Sequence, residues 1–289
     1  MSEPPPLPGS GPPLDDASFA ALRALVYAQA GVVVREELRG GLRRRLGERL
    51  PALGLEDFDT YLSRIRQGEL PHELEEVLDV ATTHETYFFR EPVQLEGFVR
   101  EVLPAIARQQ AASRRLRLWS AGCSSGEEAY TLAMLLAESG HFSGFDVQIY
   151  GTDLSRRMID LARRAEYGAA ALRATSGMQR QRYFELAPNG RHRVSESIRS
   201  MVSFAQVNLI DPDQAEVLPP MDAIFCRNVL IYMDEPARRR TLRILFDRLH
   251  GGGLLLLGHA EHLLGLETGF ELVHLEHDLI YRRPAGGAG

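Results

Sequence analysis

The sequence predicts an α/β fold: a doubly wound parallel sheet with a small β insertion, preceded by an all-α N-terminal domain. Three observations predict it. Residues 15–81 carry apolar side chains at helical spacing and no strand signals. From Leu116 onward, short apolar runs alternate with helical stretches, the pattern of a parallel sheet covered on both faces. Between 166 and 200 the chain is too long for one loop, and RYFELAPNGRHRV places a Pro-Asn-Gly turn between two strand-like pieces.

Residues 1–14, starting MSEPPPLPGSGPP, read as a disordered or polyproline-like lead without the basic and apolar regions of a signal peptide. The helical domain, 15–81, follows as about four helices. Their apolar positions are Phe19, Leu22 and Val26; Leu38, Leu42, Leu46 and Leu50; Phe58, Tyr61, Leu62 and Ile65; then Leu74, Val77 and Leu78. Breaks fall at Gly31, Pro51–Gly54 and Gly68–Pro71, and Asp15 or Asp16 suits the first N-cap. Residues 82–113 form a linker, dense in Thr and aromatics to Pro92, then a helix over Val93–Gln110.

The third region, 114–289, alternates. Strands are expected at Leu116–Ala121, Val147–Asp153, Met201–Leu209, Asp222–Asn228 and Leu254–His259. Helices are expected at Glu127–Glu138, Met158–Ala165 and Glu235–Leu249. Phe270–Leu275 and Asp278–Arg283 lie close enough to pair antiparallel at the end, an addition common in, though not unique to, S-adenosylmethionine (SAM) methyltransferases.

Composition narrows the chemistry. The 289 residues include no lysine, so all 33 fixed positive charges are arginine. Schiff-base, pyridoxal phosphate and P-loop lysine chemistry are thereby excluded. A net charge of −6 argues against a global grip on nucleic acid. No apolar run approaches the ~18 residues of a membrane span, so no membrane insertion is expected. Two cysteines, Cys123 and Cys226, imply no disulfide framework and a reducing cytoplasmic setting.

Four segments carry candidate chemistry. In WSAGCSSGEEAY, a strand ends and a turn with Gly122 and Gly126 opens a helix. Such a turn admits a ligand near the backbone, with N–H groups suited to an anionic group, or merely allows tight strand–helix packing. The spacing is not GxGxxG, which disfavours a nicotinamide dehydrogenase. Asp153 ends the second strand, where an acid binds ribose hydroxyls or caps the next helix. Asn208-Leu209 offer an amide and an apolar neighbour to a purine. In CRNVLIYM, Arg227 and Asn228 stand at the carboxyl end of a strand, where open α/β sheets place ligands. Arg227 also suits an ion pair, and Tyr232 a core aromatic.

These segments, with TTHETYFFRE, resemble the CheR family of chemoreceptor glutamate O-methyltransferases over nearly the whole chain beyond the lead. The resemblance implies SAM as methyl donor, S-adenosylhomocysteine as product, and glutamates on the helical cytoplasmic region of chemoreceptors as substrates. It assigns His84, Thr86, Arg90, Gly122, Glu127, Asp153, Asn208, Leu209, Arg227 and Asn228 to donor binding. Arg90 suits the donor's methionine carboxylate and Glu127 its amino end. His84 stands where the family often has asparagine. The compact FELAPNGRHRV loop implies a partner contact independent of a receptor tether peptide.

A glutamate carboxylate is ionised at neutral pH, so alignment and desolvation suffice without a strong general base. Tyr232 is the candidate for orienting that carboxylate. His259 and His262 lack further ligands, so no metal is expected. Arg39, Arg43, Arg44, Arg45 and Arg49 form a candidate docking surface for an acidic receptor helix, although they do not share one clean helical face. A SAM-binding scaffold without turnover is the alternative reading.

Overall fold

The computed structural model describes residues 12–286, so residues 1–11 of the expected lead lie outside the described residues. The chain divides into two compact units. One runs to Thr83 and takes in Tyr232–Asp234; the other comprises His84–Ile231 and the chain from Glu235.

The first unit is helical. Helix α1 (Asp16–Ala30) begins where Asp15 accepts from the Ser18 N–H at 2.8 Å and ends at Gly31, whose φ of 67° suits glycine. Then come α2 (Arg39–Gly47), α3 (Phe58–Arg66) and α4 (Pro71–Ala81). Asp57 caps α3 by accepting from the Thr60 N–H, and Pro71 opens α4 where a missing N–H costs nothing. Leu22, Val26, Leu42, Leu46, Leu50, Phe58, Tyr61, Leu62 and Val77 form the core. Leu14, placed in the lead by sequence, is buried, and its carbonyl accepts from Arg39. Leu38 departs from its expected stripe: it ends a separate 3-10 turn, Glu36–Leu38, and is exposed. Val33 N–H donates to the Tyr232 carbonyl at 2.8 Å, and Tyr27 Oη donates to Asp234.

The second unit opens with α5 (Pro92–Gly97), a π-helical turn (Phe98–Val102) and α6 (Leu103–Gln109). The single helix expected here is present but carries that π turn just before Pro104. Proline supplies no N–H and disturbs the ordinary ladder of the preceding turn.

Strand β1 (Arg115–Ala121), α7 (Glu127–Ser139), β2 (Asp146–Asp153) and α8 (Arg156–Arg164) come next. The insertion holds β3 (Glu166–Tyr167), α9 (Gly177–Tyr183), β4 (Phe184–Leu186) and β5 (His192–Val194). It is less β-rich than expected, because Ser176 and Gln179 form a capping box that nucleates α9. The Pro-Asn-Gly turn does join two antiparallel strands, β4 and β5.

Then follow α10 (Glu196–Arg199), β6 (Val202–Gln206), α11 (Pro212–Ala215), β7 (Met221–Cys226), α12 (Glu235–Arg248), β8 (Leu249–Leu257), β9 (Glu271–His274) and β10 (Leu279–Arg282). The seven-stranded sheet has the order β6-β2-β1-β7-β8-β10-β9. Its first five strands are parallel, and β10 runs antiparallel to β8 and β9. The order reverses between β1 and β7, so the loops after those two strands diverge and leave a crevice at the carboxyl ends. All six residues of β7 are buried, as a strand covered on both faces requires. Phe98 meets Phe225 edge-on at 4.9 Å, which packs the π turn onto the sheet.

Candidate functional site

The crevice is built from the loops after β1, β2, β6 and β7, and from the segment His84–Glu91. Phe88 holds that segment. It is fully buried, edge-on to Tyr167 at 4.8 Å and Phe184 at 5.0 Å, and its N–H donates to Ala171. Phe89 and Glu91 both take positive φ, 57° and 58°. Non-glycine residues rarely do so, and such strain persists only where surroundings impose it. The Phe89 N–H bond to Thr131 Oγ1 and the Glu91 contacts described below are those surroundings. Thr86 and His84 are half-buried in the same segment, and the His84 carbonyl accepts from Ser124 Oγ at 3.3 Å. Arg90 is half-exposed and donates to the Glu85 carbonyl.

The glycine turn departs from the anion-binding expectation. Gly122 and Cys123 N–H groups both donate to the Thr152 carbonyl at 2.8 Å, Ser124 N–H to Asp153, and Gly126 N–H to the Cys123 carbonyl. These donors are consumed within the protein. The glycines also serve packing. A Cβ on Gly122 would stand 2.5 Å from Val229, and one on Gly126 would stand 2.8 Å from Ala162.

Glu127 opens α7. It is buried, and its one side-chain hydrogen bond comes from Ser125 Oγ at 2.7 Å. Burial pushes its carboxyl above the usual range. No guanidinium lies within ion-pair distance of it among the described residues, so an ammonium group on a ligand would relieve this cost. Asp153, also buried, accepts from Ser124 N–H at 2.8 Å and Ser155 N–H at 2.9 Å. It ties the loops after β1 and β2 together, while Ser155 caps α8. Asn208 accepts from the Ile210 N–H, and Leu209 beside it is buried.

Arg227 makes the ion pairs that its sequence position also suited. Its side chain is 3% exposed and pairs with Glu91 at 3.0 Å and Glu128 at 3.1 Å. It also donates to the Arg90 carbonyl at 2.7 Å. A guanidinium excluded from water needs partners, and two acids and a carbonyl supply them to Nη1 and Nη2, while Nε has none among the described residues. Arg227 thus clamps the Arg90–Glu91 backbone to β7 and α7. Burial opposes ionisation of Glu91, yet Arg227 outweighs it and holds that carboxyl below the usual range. Glu128 also accepts from Ser120 Oγ at 2.6 Å. Glu91, Glu128, Glu261 and Arg173 are missing from the sequence-derived set. The adjacency of Glu91 and Glu128 to chosen residues, in FRE and GEE, was the available signal. Arg173 stacks 3.6 Å from the Tyr87 ring, and nothing in its local sequence marked it.

Tyr232 belongs to the helical unit rather than to the unit that carries the crevice. The five candidate docking arginines separate within that unit. Arg39 binds the Leu14 carbonyl, Asp16 and Glu36; Arg43 binds the Pro12 carbonyl; Arg49 binds Glu73 and Glu76. Arg44 and Arg45 are exposed, with Arg45 3.9 Å from Asp79. Cys123 and Cys226 are fully buried, and burial pushes both thiols up, so neither is a thiolate nucleophile. Among the described residues no group of three or more His, Cys, Asp or Glu is arranged to hold a metal, and no helix is long and apolar enough to cross a membrane.

Comparison with known proteins matches both units. Residues 84–279 match the family model "CheR methyltransferase, SAM binding domain", and residues 17–82 match "CheR methyltransferase, all-alpha domain". The chain is 31% identical to chemotaxis protein methyltransferase 2 of Vibrio cholerae, over 95% of each protein. It is 35% identical to the chemotaxis protein methyltransferase of Salmonella typhimurium, over 90% of this chain and 88% of that one. Its identity to the Escherichia coli chemotaxis protein methyltransferase is also 35%, over 90% and 89%.

SAM is the cofactor, and the crevice fits it on two observations: the buried Glu127 carboxyl without an ion-pair partner, and a buried Asn228 Oδ1 without a hydrogen-bond partner, both among the described residues. A methyltransferase sheet, a crevice with these two unmet groups, and matches spanning both units converge on one assignment: this chain belongs to the CheR methyltransferase family and is a SAM-dependent methyltransferase.

Proposed function

We propose that this protein methylates glutamate side-chain carboxylates of chemoreceptors in the cytoplasm, forming methyl esters that adapt signalling. The observation that carries this reading is the 31–35% identity to chemotaxis protein methyltransferases across both units. When bound, SAM supplies a methyl carbon made electrophilic by its sulfonium.

The residues of this chain hold and align. Glu127 takes the donor's ammonium, Asp153 its ribose hydroxyls, and Arg90 with Thr86 its methionine carboxylate end. His84 adds a hydrogen bond from the same segment. Asn208, Leu209 and Asn228 meet the remaining donor edges. Gly122 lets the β1 loop seat against Val229, and Arg227 keeps the Arg90–Glu91 backbone in place. A substrate glutamate has an ordinary pKa near 4.3 and arrives ionised, so no residue need remove a proton. The protein's contribution is alignment and exclusion of water.

In this reading the regions divide as a lead (1–14), a receptor-docking helical domain (15–81), a linker and helix (82–113), and the methyltransferase domain (114–289). Arg44 and Arg45, the exposed pair, meet the acidic receptor helix. The compact β4–β5 turn suits receptors without a tether contact. The test is incubation with methyl-labelled SAM and receptor cytoplasmic fragments, with and without an aromatic tether. Label released by mild alkali supports the reading. Alkali-stable label, or none on any fragment, overturns it.

A further inference from the structure

We propose that Glu261 is a positioning residue for donor binding: it shapes the loop after β7 so that Asn228 Oδ1 faces the donor. The inference rests on the donor reading of Asn228. Glu261 lies just beyond β8. Its Oε2 accepts from the N–H groups of Asn228 at 2.7 Å and Gly258 at 2.8 Å. Its Oε1 accepts from Val229 at 2.9 Å and Ile231 at 3.2 Å. One side chain therefore satisfies four backbone donors, three of them in the loop that carries Asn228. An ionised carboxylate has about four acceptor positions, so this one is saturated. A glutamine would turn an amide N–H toward backbone N–H groups and lose that match.

The loop needs an external template. Asn228 adopts φ of 59°, a left-handed conformation that asparagine tolerates better than most residues but does not adopt freely. Gly258 makes room for the template, since a Cβ there would meet Asn228 N and Glu261 Oε2, both at 2.8 Å. The Asn228 side chain is oriented as well. Its Nδ2 donates to Glu91 Oε1 at 3.5 Å, and Glu91 is itself held by Arg227 and the His259 N–H. Its Oδ1 is buried and has no hydrogen-bond partner among the described residues. Buried polar atoms of native proteins nearly always have a partner, and in the donor reading of Asn228 this acceptor takes an N–H or O–H of the ligand. SAM offers both, in its amines and its ribose. Glu261 holds the main chain and Glu91 the amide nitrogen, so the acceptor is left with one direction.

Calorimetry with S-adenosylhomocysteine tests this on the full-length wild type, Asn228→Ala, Glu261→Gln and the double variant, below each melting temperature. Asp222→Asn serves as a control for general destabilisation; that buried acid bonds Gln110 and the Arg117 N–H near the start of β7, away from the crevice. Each single crevice variant is expected to weaken binding by about tenfold or more. The double variant is expected to be no more than about twofold weaker than the singles, because both remove one interaction. Amide exchange in Glu261→Gln should quicken at Asn228, Val229, Ile231 and Gly258. Should Glu261→Gln not fold, Gly258→Ala displaces the same carboxylate and carries the same expectation. Wild-type affinity in Glu261→Gln, or additive losses in the double variant, overturns the positioning role. Wild-type affinity in Asn228→Ala overturns the donor reading of Asn228 instead, and the inference with it.

Discussion

The two units treat a buried glutamate in opposite ways. In the helical unit, Glu73 of α4 receives Arg49 Nε at 2.7 Å, Arg49 Nη2 at 2.8 Å and Tyr61 Oη at 2.9 Å. The Arg49 bonds hold its carboxyl below the usual range despite burial. In the methyltransferase unit, Glu127 has one hydroxyl partner, and burial pushes its carboxyl up. Both acids lie in helices and are nearly excluded from solvent. One is satisfied by its own protein and builds the fold. The other has one hydroxyl partner and no ion pair among the described residues, so its burial is less fully compensated.

The largest effect should come from Glu127→Gln. It is expected to weaken S-adenosylhomocysteine binding by roughly 50-fold, the scale of a hydrogen bond to a charged group. The melting temperature of the ligand-free variant should equal or exceed that of the wild type. A large loss of stability with unchanged affinity would reverse the comparison. Glu73→Ala should do the opposite. It leaves Tyr61 Oη buried without its acceptor and Arg49 with Glu76 alone, and costs about 2 kcal/mol in urea unfolding, while donor affinity of the folded protein stays unchanged.

The two acids also predict opposite slopes of stability against pH. Glu73 has a lowered folded-state pKa, so its contribution is present above the ordinary carboxylate pKa near 4.3 and is lost as pH falls through the folded value. Glu127 has a raised one, so its contribution declines as pH rises from the ordinary value through the folded value. Urea unfolding from about pH 2 to 7 with Glu73→Gln and Glu127→Gln should flatten one slope each, the Glu73 slope below the ordinary carboxylate pKa and the Glu127 slope above it. The smallest effect concerns the arginines of α2. Arg44→Gln with Arg45→Gln should slow receptor methylation by about threefold, most at low salt, as expected of rim charges. Arg49→Gln should act on stability first, because Arg49 is occupied by Glu73 and Glu76.

Local patterns carried much of the architecture. The caps at Asp15 and Asp57, the break at Gly31 and the turn at Gly190 depend on neighbours within a few residues. The alternation after Leu116 announced the parallel strands for the same reason. What failed locally failed for tertiary causes. Leu38 matched a helical stripe, yet a 3-10 turn breaks that helix and leaves the side chain in solvent. Arg227 looked like a ligand cation, yet its partners come from Glu91 and Glu128, each far away in sequence. Gly122 and Gly126 suggested close approach to a ligand, while the atoms that require glycine there are Val229, Ala162 and Phe204.

By itself, the sequence determined the order of elements, the family motifs and the absence of lysine chemistry, because each is written in residue types and spacings. Only the tertiary structure decided which charges are spent and which are available. Arg39, Arg43, Arg49 and Arg227 are spent on partners the sequence does not place beside them. Glu127 and Asn228 Oδ1 are not, and Glu261 is placed under Asn228 by a strand end and a glycine without Cβ. Charge type is a local property. Satisfaction of a buried polar group depends on what the fold brings within about 3 Å, and that is a property of the whole chain.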